Sequence, residues 1–217
     1  MLTNASSIEA NSEAPYFLTG KEAVWGNFAK APALGSPVDG EDLMITLSIQ
    51  DSRTEAQNAE AYLDKKYSIK LVDEVIDPNF ESKYPRTYAV LKEADHDGRI
   101  INSVLKNENG RLRPYVQHPV LVTPLFMVPD FSYPSGHASG SELQARILGK
   151  LFPLRAEDLL KRARQVADSR VVAGVHYASD TEAGLVLGDL LFDQFEANPK
   201  FVSELSAAAK EDHIQGK

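Results

Sequence analysis

The chain has 217 residues, of which 43% are hydrophobic and 25% charged, a composition typical of a soluble globular protein with one domain and a sizeable core. Its 23 basic and 31 acidic residues give a net charge of −8, which argues against a general nucleic-acid-binding protein. A site for an anionic ligand must therefore be a local positive pocket. The chain has no cysteine, so disulfides are excluded.

The apolar segments and the first residues bear on where the protein works. The most apolar loop, 120–128, contains Thr123 and Pro124 and is far too short to cross a bilayer, so we expect no membrane insertion. Residues 1–7 lack the basic region and the apolar core of a secretory signal. This start is compatible with cytoplasmic residence and with a mature form that begins at an added Met1.

Residues 1–41 predict an extended N-terminal arm, which precedes a helical domain at 42–217. The arm is rich in Pro, Gly, Ser and Ala, residues that interrupt regular structure. Pro15-Tyr16-Phe17-Leu18 and Trp25 are candidate anchors that would attach the arm to the domain.

Apolar residues at three- and four-residue steps predict helices through the rest of the chain. We expect helices at 42–67, 69–76, 84–105, 139–152, 156–173, 179–196 and 199–210. Lys106 then lies at a helix C-terminus, and Asn198 caps the last helix. No strand alternation of any length is present, so the predicted fold class is all-α.

Asp95-His96-Asp97 places two carboxylates beside an imidazole, as a metal site would. Adjacent residues of a helix point in different directions, so we interpret these three as a solvated helix face. His118 and His213 receive no catalytic role. The sequence therefore predicts no metal ligands.

The proline- and aromatic-rich segment 114–133 predicts a long loop. Loops of this length in compact domains are usually functional. Two interpretations remain open: the loop is a wall over a pocket that holds the apolar part of a ligand, or its aromatic side chains pack it onto the core.

Two short stretches beside this loop have the chemistry of an anion site. Lys106 and, after six further residues, Arg113-Pro114 supply two cations, although spaced cations are also common on solvated faces. Pro134-Ser135-Gly136-His137 would aim backbone N–H groups at an anion, although Pro-Ser-Gly is also common in turns.

A third stretch, 169–180, combines a guanidinium, an imidazole and a carboxylate. Arg170 offers a planar fork of donors suited to phosphate oxygens, and His176 is a candidate nucleophile or base. Asp180, four residues on, would orient the imidazole. The ordinary alternative is that Ser179–Glu182 forms a capping box and that Asp180 only favours the helix dipole.

In this order, the three stretches resemble the signature of the phosphatidic acid phosphatase type 2 (PAP2) superfamily, which includes bacterial class A non-specific acid phosphatases and vanadium-dependent haloperoxidases. The filled signature positions are Lys106, Arg113, Pro114, Pro134, Ser135, Gly136, His137, Ser169, Arg170, His176 and Asp180. The resemblance implies the single-domain helical bundle of that superfamily. Because the sequence has no membrane-spanning segment, it resembles the soluble branch of the superfamily.

The resemblance also implies an acid phosphatase that hydrolyses small phosphomonoesters through a phosphohistidine intermediate. In the implied roles, His176 attacks phosphorus and Asp180 holds the other nitrogen of its ring. His137 protonates the leaving group and then activates water. The cationic cluster favours a neutral His176 whereas Asp180 favours an imidazolium, and the sequence leaves open which effect prevails.

The implied phosphate ligands are Lys106, Arg113 and Arg170, with Ser135 and the backbone N–H of Gly136 as neutral donors. No metal or other cofactor is implied, and vanadate is expected to inhibit. The class A relatives are usually periplasmic or secreted, which is the expected location. The sequence leaves open whether the protein forms a homo-oligomer.

Two other functions remain as alternatives. A vanadium-dependent haloperoxidase-like oxidoreductase would hold vanadate with the same residues, but those enzymes are typically much longer. A catalytically silent phosphate-binding helical module would not need every catalytic position filled. No residue distinguishes among aryl, nucleotide, sugar and detached lipid phosphates as substrates.

Overall fold

The computed structural model describes residues 14–20, 22–66 and 71–214. Within these ranges the chain forms α-helices and no β-strand, so the predicted all-α fold is confirmed. The helices are α1 (Pro37–Ser52), α2 (Glu55–Leu63), α3 (Phe80–Lys83), α4 (Pro85–Asn109), α5 (Pro114–Gln117), α6 (Gly136–Leu151), α7 (Ala156–Val172), α8 (Ala178–Glu196) and α9 (Pro199–Glu211). None of these helices combines the length and the apolar character that a membrane span requires.

Helix α6 lies at the centre of the molecule and packs against α4, α7 and α8, while α9 covers α4. The apolar residues that face inward form one large buried cluster, which includes Leu91, Leu143, Leu191, Phe195 and Phe201. Burial of such side chains contributes about 1.5–3 kcal/mol each. The arrangement gathers the N-terminal ends of α6 and α8 on one side of the bundle.

Two glycines of α8 allow it to cross α6 at very short range. A Cβ atom added at Gly184 would lie 2.6 Å from the carbonyl oxygen of Ser135 and 2.7 Å from Cβ of Ala138, and Gly188 is equally confined. Real Cβ atoms do not approach so closely, so the crossing requires glycine. As a result, the backbone N–H of Ser135 donates a 2.9 Å hydrogen bond to the carbonyl oxygen of Asp180.

The predicted anchors of the arm are confirmed, because Phe17, Leu18 and Trp25 are all buried. The helical part begins earlier than predicted. Ser36 caps α1 by accepting the N–H of Asp39, and proline occupies the first helical position. Residues 37–41 are therefore helical and do not belong to the arm. Residues 1–13 and 21 of the predicted arm lie outside the described residues.

The interpretation of Asp95-His96-Asp97 as a solvated face is wrong. Asp97 is fully buried, and its carboxylate accepts backbone N–H groups of the arm, from Tyr16 at 2.9 Å and Phe17 at 2.7 Å. Asp95 is also buried and accepts a hydrogen bond from Arg99. The arm that binds Asp97 lies about 80 residues away in the sequence, so no local pattern reveals this partner, whereas Arg99 follows Asp95 by one helical turn.

Three helix boundaries also differ from the prediction. The predicted helix 42–67 is two helices, because Thr54 and Gln57 form a capping box that starts α2. Residues 69 and 70 of the next predicted helix lie outside the described residues, and Val72–Ile76 forms a π-helical turn. The capping box predicted at Ser179 is wrong, since α8 begins at Ala178.

Candidate active site

A cavity of about 1090 Å³ opens beside the N-terminal end of α6. Its lining includes six of the predicted site residues, namely Lys106, Arg113, Gly136, His137, Arg170 and His176. Ser135 and Asp180 are fully buried and do not line it. Ser135 is the N-cap of α6, where its Oγ accepts the N–H of Ala138. Direct contact of Ser135 with an anion therefore stays a prediction.

The segment between α5 and α6 forms one side of this cavity. Phe126, Met127 and Phe131 line it, as the interpretation of the loop as a wall requires. Tyr115 and Val122 instead pack into a buried cluster beneath the segment. The segment therefore lines the cavity and also packs onto the core, and Phe126 does both. That its aromatic side chains hold the apolar part of a ligand stays a prediction.

His176 and Asp180 are neighbours at the start of α8. Nδ1 of His176 lies 3.4 Å from Oδ2 of Asp180, an oxygen that also accepts a 2.6 Å hydrogen bond from Oγ of Ser132. Nε2 of His176 lies 3.2 Å from Nη1 of Arg113. Because a guanidinium can only donate, Nε2 is an acceptor, and the ring carries its proton on Nδ1, toward Asp180.

The protonation of His176 is decided by its surroundings. Complete burial lowers the pKa of His176 well below its ordinary value, and the charges of Arg113 and Lys106 lower it further. These effects outweigh the opposing carboxylate of Asp180. The imidazole is therefore neutral in the resting site and carries a lone pair on Nε2.

Arg113 already uses every N–H of its guanidinium. Nε donates to the carbonyl oxygen of Asp130 at 2.8 Å, and Nη1 donates to the carbonyl oxygen of Val175 at 2.6 Å and to His176. Nη2 donates to the carboxylate of Asp130 and to the carbonyl oxygen of Phe131. These contacts fill the five donor positions of the side chain.

Asp130 also binds the second cation. Its Oδ2 lies 3.1 Å from Nζ of Lys106, which in addition donates to the carbonyl oxygen of Phe131. Burial lowers the pKa of Lys106 to about 8, against the pull of Asp130. The two cations lower the pKa of Asp130 to about 2, although its burial opposes them. The bridging carboxylate is thus ionised.

Arg170 differs from Arg113 because most of its donors are unused. Its side chain is 1% exposed, and Nη1 donates to the carbonyl oxygen of Asp64 at 2.5 Å. Nε and Nη2 are buried without a hydrogen-bond partner in the described part of the chain. The guanidinium stacks on Phe126 at 5.1 Å, and burial lowers its pKa to about 10. A buried cation with unpaired donors is the most direct sign of an anion site.

His137 faces the same cavity from the first turn of α6. Its Nε2 lies 3.3 Å from the carbonyl oxygen of Lys65. A carbonyl only accepts, so this nitrogen carries the proton. Burial and the charge of Arg170 lower the pKa of His137 to about 3. Both histidines are therefore neutral in the resting site.

Sequence reasoning missed Arg111, which holds Asp180 in place. Its guanidinium contacts Oδ1 of Asp180 at 2.7 Å, Asp42 at 2.8 Å and Asp39 at 3.3 Å, and it stacks on Tyr177 at 4.2 Å. The spacing Arg-Leu-Arg was the available signal. In an extended segment, alternate side chains point to the same side, so an arginine two positions before Arg113 lies close to it.

Asp130 and Ser132 were missed as well. Both lie immediately before the predicted Pro134-Ser135-Gly136-His137 turn, which was the signal that could have found them. Within the described ranges, no group of three or more His, Asp or Glu residues is arranged to hold a metal ion.

Comparisons with known proteins agree with this geometry. Residues 98–192, which contain every predicted site residue, match the model of the PAP2 superfamily. The resemblance to the PAP2 superfamily is confirmed. The PAP2 match thus covers the cavity wall from α4 to α8.

Curated relatives of the chain include acid phosphatases. The chain is 38% identical to a non-specific acid phosphatase of Salmonella typhi over 82 residues, 38% of this chain and 33% of that one. It is 34% identical to an acid phosphatase of Zymomonas mobilis over 130 residues, 57% of this chain and 46% of that one. The matches thus span one third to less than one half of these relatives.

Two solved structures share the PAP2 fold. A transmembrane PAP2-type phosphatidylglycerolphosphate phosphatase from Bacillus subtilis superposes with a TM-score of 0.59 at 24% identity, covering 76% of this chain and 87% of that one. A bacterial vanadium-dependent iodoperoxidase superposes with a TM-score of 0.64 at 18% identity, covering 82% and 52%. At these identities, the likeness concerns the fold.

Proposed function

We propose that the chain is a metal-independent phosphomonoesterase that acts through a phosphohistidine on His176. The observation that carries the proposal is the buried guanidinium of Arg170: the residue lines the same cavity as a neutral His176, and its Nε and Nη2 have no hydrogen-bond partner in the described part of the chain. An oxyanion would supply the missing acceptors. The acid phosphatase relatives named above support the same reaction class.

The site supplies the charge stabilisation that phosphoryl transfer requires. The transferred group spreads negative charge over three equatorial oxygens. Arg170 and Lys106 provide cationic donors, and Gly136 places a backbone N–H at the positive end of the α6 dipole. These donors are buried in a partly dry cavity, where fixed charges act more strongly than in water.

In the first step, the lone pair on Nε2 of His176 forms a bond to phosphorus, and the bond from phosphorus to the leaving oxygen breaks. The developing positive charge on the ring is stabilised by Asp180 through Nδ1–H, at 3.4 Å in the resting site. Ser132 and Arg111 hold the carboxylate of Asp180 in place. The leaving oxygen takes a proton from His137, which has first received that proton from the monoanion of the substrate's phosphate.

In the second step, His137 removes a proton from water, and the water oxygen bonds to phosphorus. The phosphorus–nitrogen bond breaks, and its electron pair returns to Nε2 of His176. His137 gives this proton to the departing inorganic phosphate, and the free enzyme, with both histidines neutral, is restored. Histidine can serve as acid and then as base in this way because the proton it donates in one step is recovered in the next.

The low pKa of His137 explains why the substrate should bring the proton with it. A neutral His137 has no acidic proton to spare near pH 6, whereas the monoanion of a phosphomonoester, whose second pKa is about 6, carries one. Binding of the anion would also raise the pKa of His137 by replacing bulk water with negative charge. Activity on the acid side of neutrality follows from both effects.

Trapping of the covalent intermediate tests the proposal. His137→Ala and His176→Ala are each mixed with an activated aryl phosphate labelled at phosphorus, quenched in alkali and mapped by peptide analysis. We expect label on His176 in the His137→Ala protein, since this leaving group needs little protonation, and none in His176→Ala. Label on His137, or labelled His176→Ala, would contradict the assignment.

A further inference from the structure

The carboxylate of Asp130 occupies the cationic face that a phosphate would need. Oδ2 lies 3.1 Å from Nζ of Lys106, and Oδ1 accepts a hydrogen bond from Nη2 of Arg113. A carboxylate and a phosphate present similar pairs of oxygens to a guanidinium. Asp130 therefore stands where two oxygens of the substrate's phosphate would otherwise be bound.

Arg113 and Arg170 differ in how many of their N–H groups already have an acceptor. This difference determines which of the two arginines can bind the substrate first. Arg170 has unpaired Nε and Nη2, so it can bind an anion without losing any contact. Arg113 has its five N–H groups filled, and four of their acceptors are backbone oxygens or His176. The side chain of Asp130 is the one acceptor on Arg113 that a side-chain rotation can remove.

The hydrogen bonds of Arg113 also involve His176, the proposed nucleophile. Nη1 of Arg113 lies 3.2 Å from Nε2 of His176, the atom proposed to attack phosphorus. While this donor points at Nε2, the lone pair is occupied. A phosphate that draws Arg113 toward itself releases that lone pair at the moment when the substrate is in place.

We propose that Asp130 is an intramolecular competitor of the substrate, whose carboxylate must leave Arg113 and Lys106 before the phosphate can bind them. The inference rests on the proposed function. Asp130 lies in the non-helical segment before α6, and its side chain is 40% exposed, so it can turn toward solvent without unfolding a helix. Anions that cannot displace it are rejected, which makes Asp130 a determinant of specificity.

The competition predicts a measurable change in affinity. If the Asp130-bound arrangement is populated nine times out of ten, the apparent dissociation constant of an anion is about tenfold weaker than its intrinsic value. Asp130→Asn keeps the size of the side chain and removes the charge. We expect this variant to bind inorganic phosphate and orthovanadate about tenfold more tightly by isothermal titration calorimetry.

Asp95→Asn is the matched control. Asp95 lines the same cavity, but its carboxylate pairs with Arg99 and with Gln144 rather than with the cations of the site. It removes the same charge, so an effect of net charge alone would appear in both variants. We expect the affinity of Asp95→Asn for phosphate to stay within about twofold of the wild type, because its carboxylate is not a competitor.

Turnover separates competition from positioning. If Asp130 competes with the substrate, Asp130→Asn should lower KM and strengthen inhibition by product phosphate. It should keep kcat within a few-fold of the wild-type value. Asp130→Glu should restore the weaker binding. Phosphate affinity that is unchanged or weaker in Asp130→Asn, or equally tightened in Asp95→Asn, would overturn the inference.

The two proposals fail in different ways. If the wild type binds phosphate and forms phosphohistidine but Asp130→Asn binds no more tightly, the competitor is refuted and the proposed function stands. If neither the wild type nor Asp130→Asn binds phosphate or vanadate, both are refuted. Binding by Asp130→Asn alone would mean that the competitor is stronger than expected.

Discussion

Replacement of Arg170 by methionine should remove activity while it changes the stability of the ligand-free protein little. Burial lowers the pKa of this guanidinium to about 10, which corresponds to about 3 kcal/mol of cost for holding the charge. The substitution loses the charge-assisted 2.5 Å hydrogen bond to Asp64, about 1.5–3 kcal/mol, and the stacking on Phe126, about 1 kcal/mol. The gain and the losses nearly cancel, so the free energy of unfolding should change by no more than about 1 kcal/mol and Tm by no more than about 4 °C.

The loss of activity follows from the donors that Arg170 keeps for the anion. Two charge-assisted hydrogen bonds, from Nε and Nη2, would disappear from the transition state. At about 1.5–3 kcal/mol each, their loss predicts a fall in kcat/KM of at least about 100-fold. Phosphate should stabilise the wild type against urea and should no longer stabilise Arg170→Met.

Urea unfolding followed by circular dichroism, with and without phosphate, measures both parts of this prediction. Arg164→Met is the control, because Arg164 lies on the same helix α7 but pairs with Glu182 on the surface. It should leave kcat/KM within about twofold of the wild type. The reasoning is refuted if the free energy of unfolding of ligand-free Arg170→Met differs from that of the wild type by more than about 2 kcal/mol, or if the variant keeps more than about a tenth of kcat/KM.

Three further outcomes are expected. Loss of the substrate monoanion lowers kcat/KM above about pH 6, and because Lys106 has its pKa lowered to about 8, kcat/KM should fall more steeply as pH rises through about 8; Lys106→Arg should remove this steeper part, and an unchanged profile would contradict the role of Lys106. Arg111→Met should destabilise the protein by about 3–5 kcal/mol in urea, far more than the change at Arg170, because the buried carboxylates of Asp42 and Asp180 lose their cation. Dialysis against a chelator should leave turnover unchanged, and vanadate should compete with the substrate; activity that returns only with a divalent metal would refute metal independence.

The sequence predicted the residues of the cavity better than their state of charge. The pattern of three motifs along the chain relates distant segments that helical periodicity cannot connect. For this reason the sequence identified Lys106, Arg113, His137 and Arg170. Whether His176 is neutral was left open, because burial decides it, and burial is a property of the folded molecule.

Buried carboxylates were the main failure of the sequence-based interpretation. Asp97 was interpreted as part of a solvated helix face, and Asp39 and Asp42 received no role in the sequence-based interpretation. All three are buried, because their partners, Arg111 and the backbone of the arm, lie about 70 to 80 residues away in the sequence. Long-range pairing of this kind leaves no local trace, so Arg111 could be recognised only by its position beside Arg113.

The glycine crossing of α6 and α8 limits how the site can vary. His137, the proposed acid-base residue, begins one helix, and His176, the proposed nucleophile, precedes the other; their separation is set by backbone in contact with backbone at Gly184. A displacement of about 1 Å between catalytic groups can reduce a rate about 100-fold. Loops and helix ends far from the crossing can therefore change in length without altering the relative placement of the two histidines. A single methyl group at Gly184, in contrast, would shift α8 against α6 and so move one histidine relative to the other.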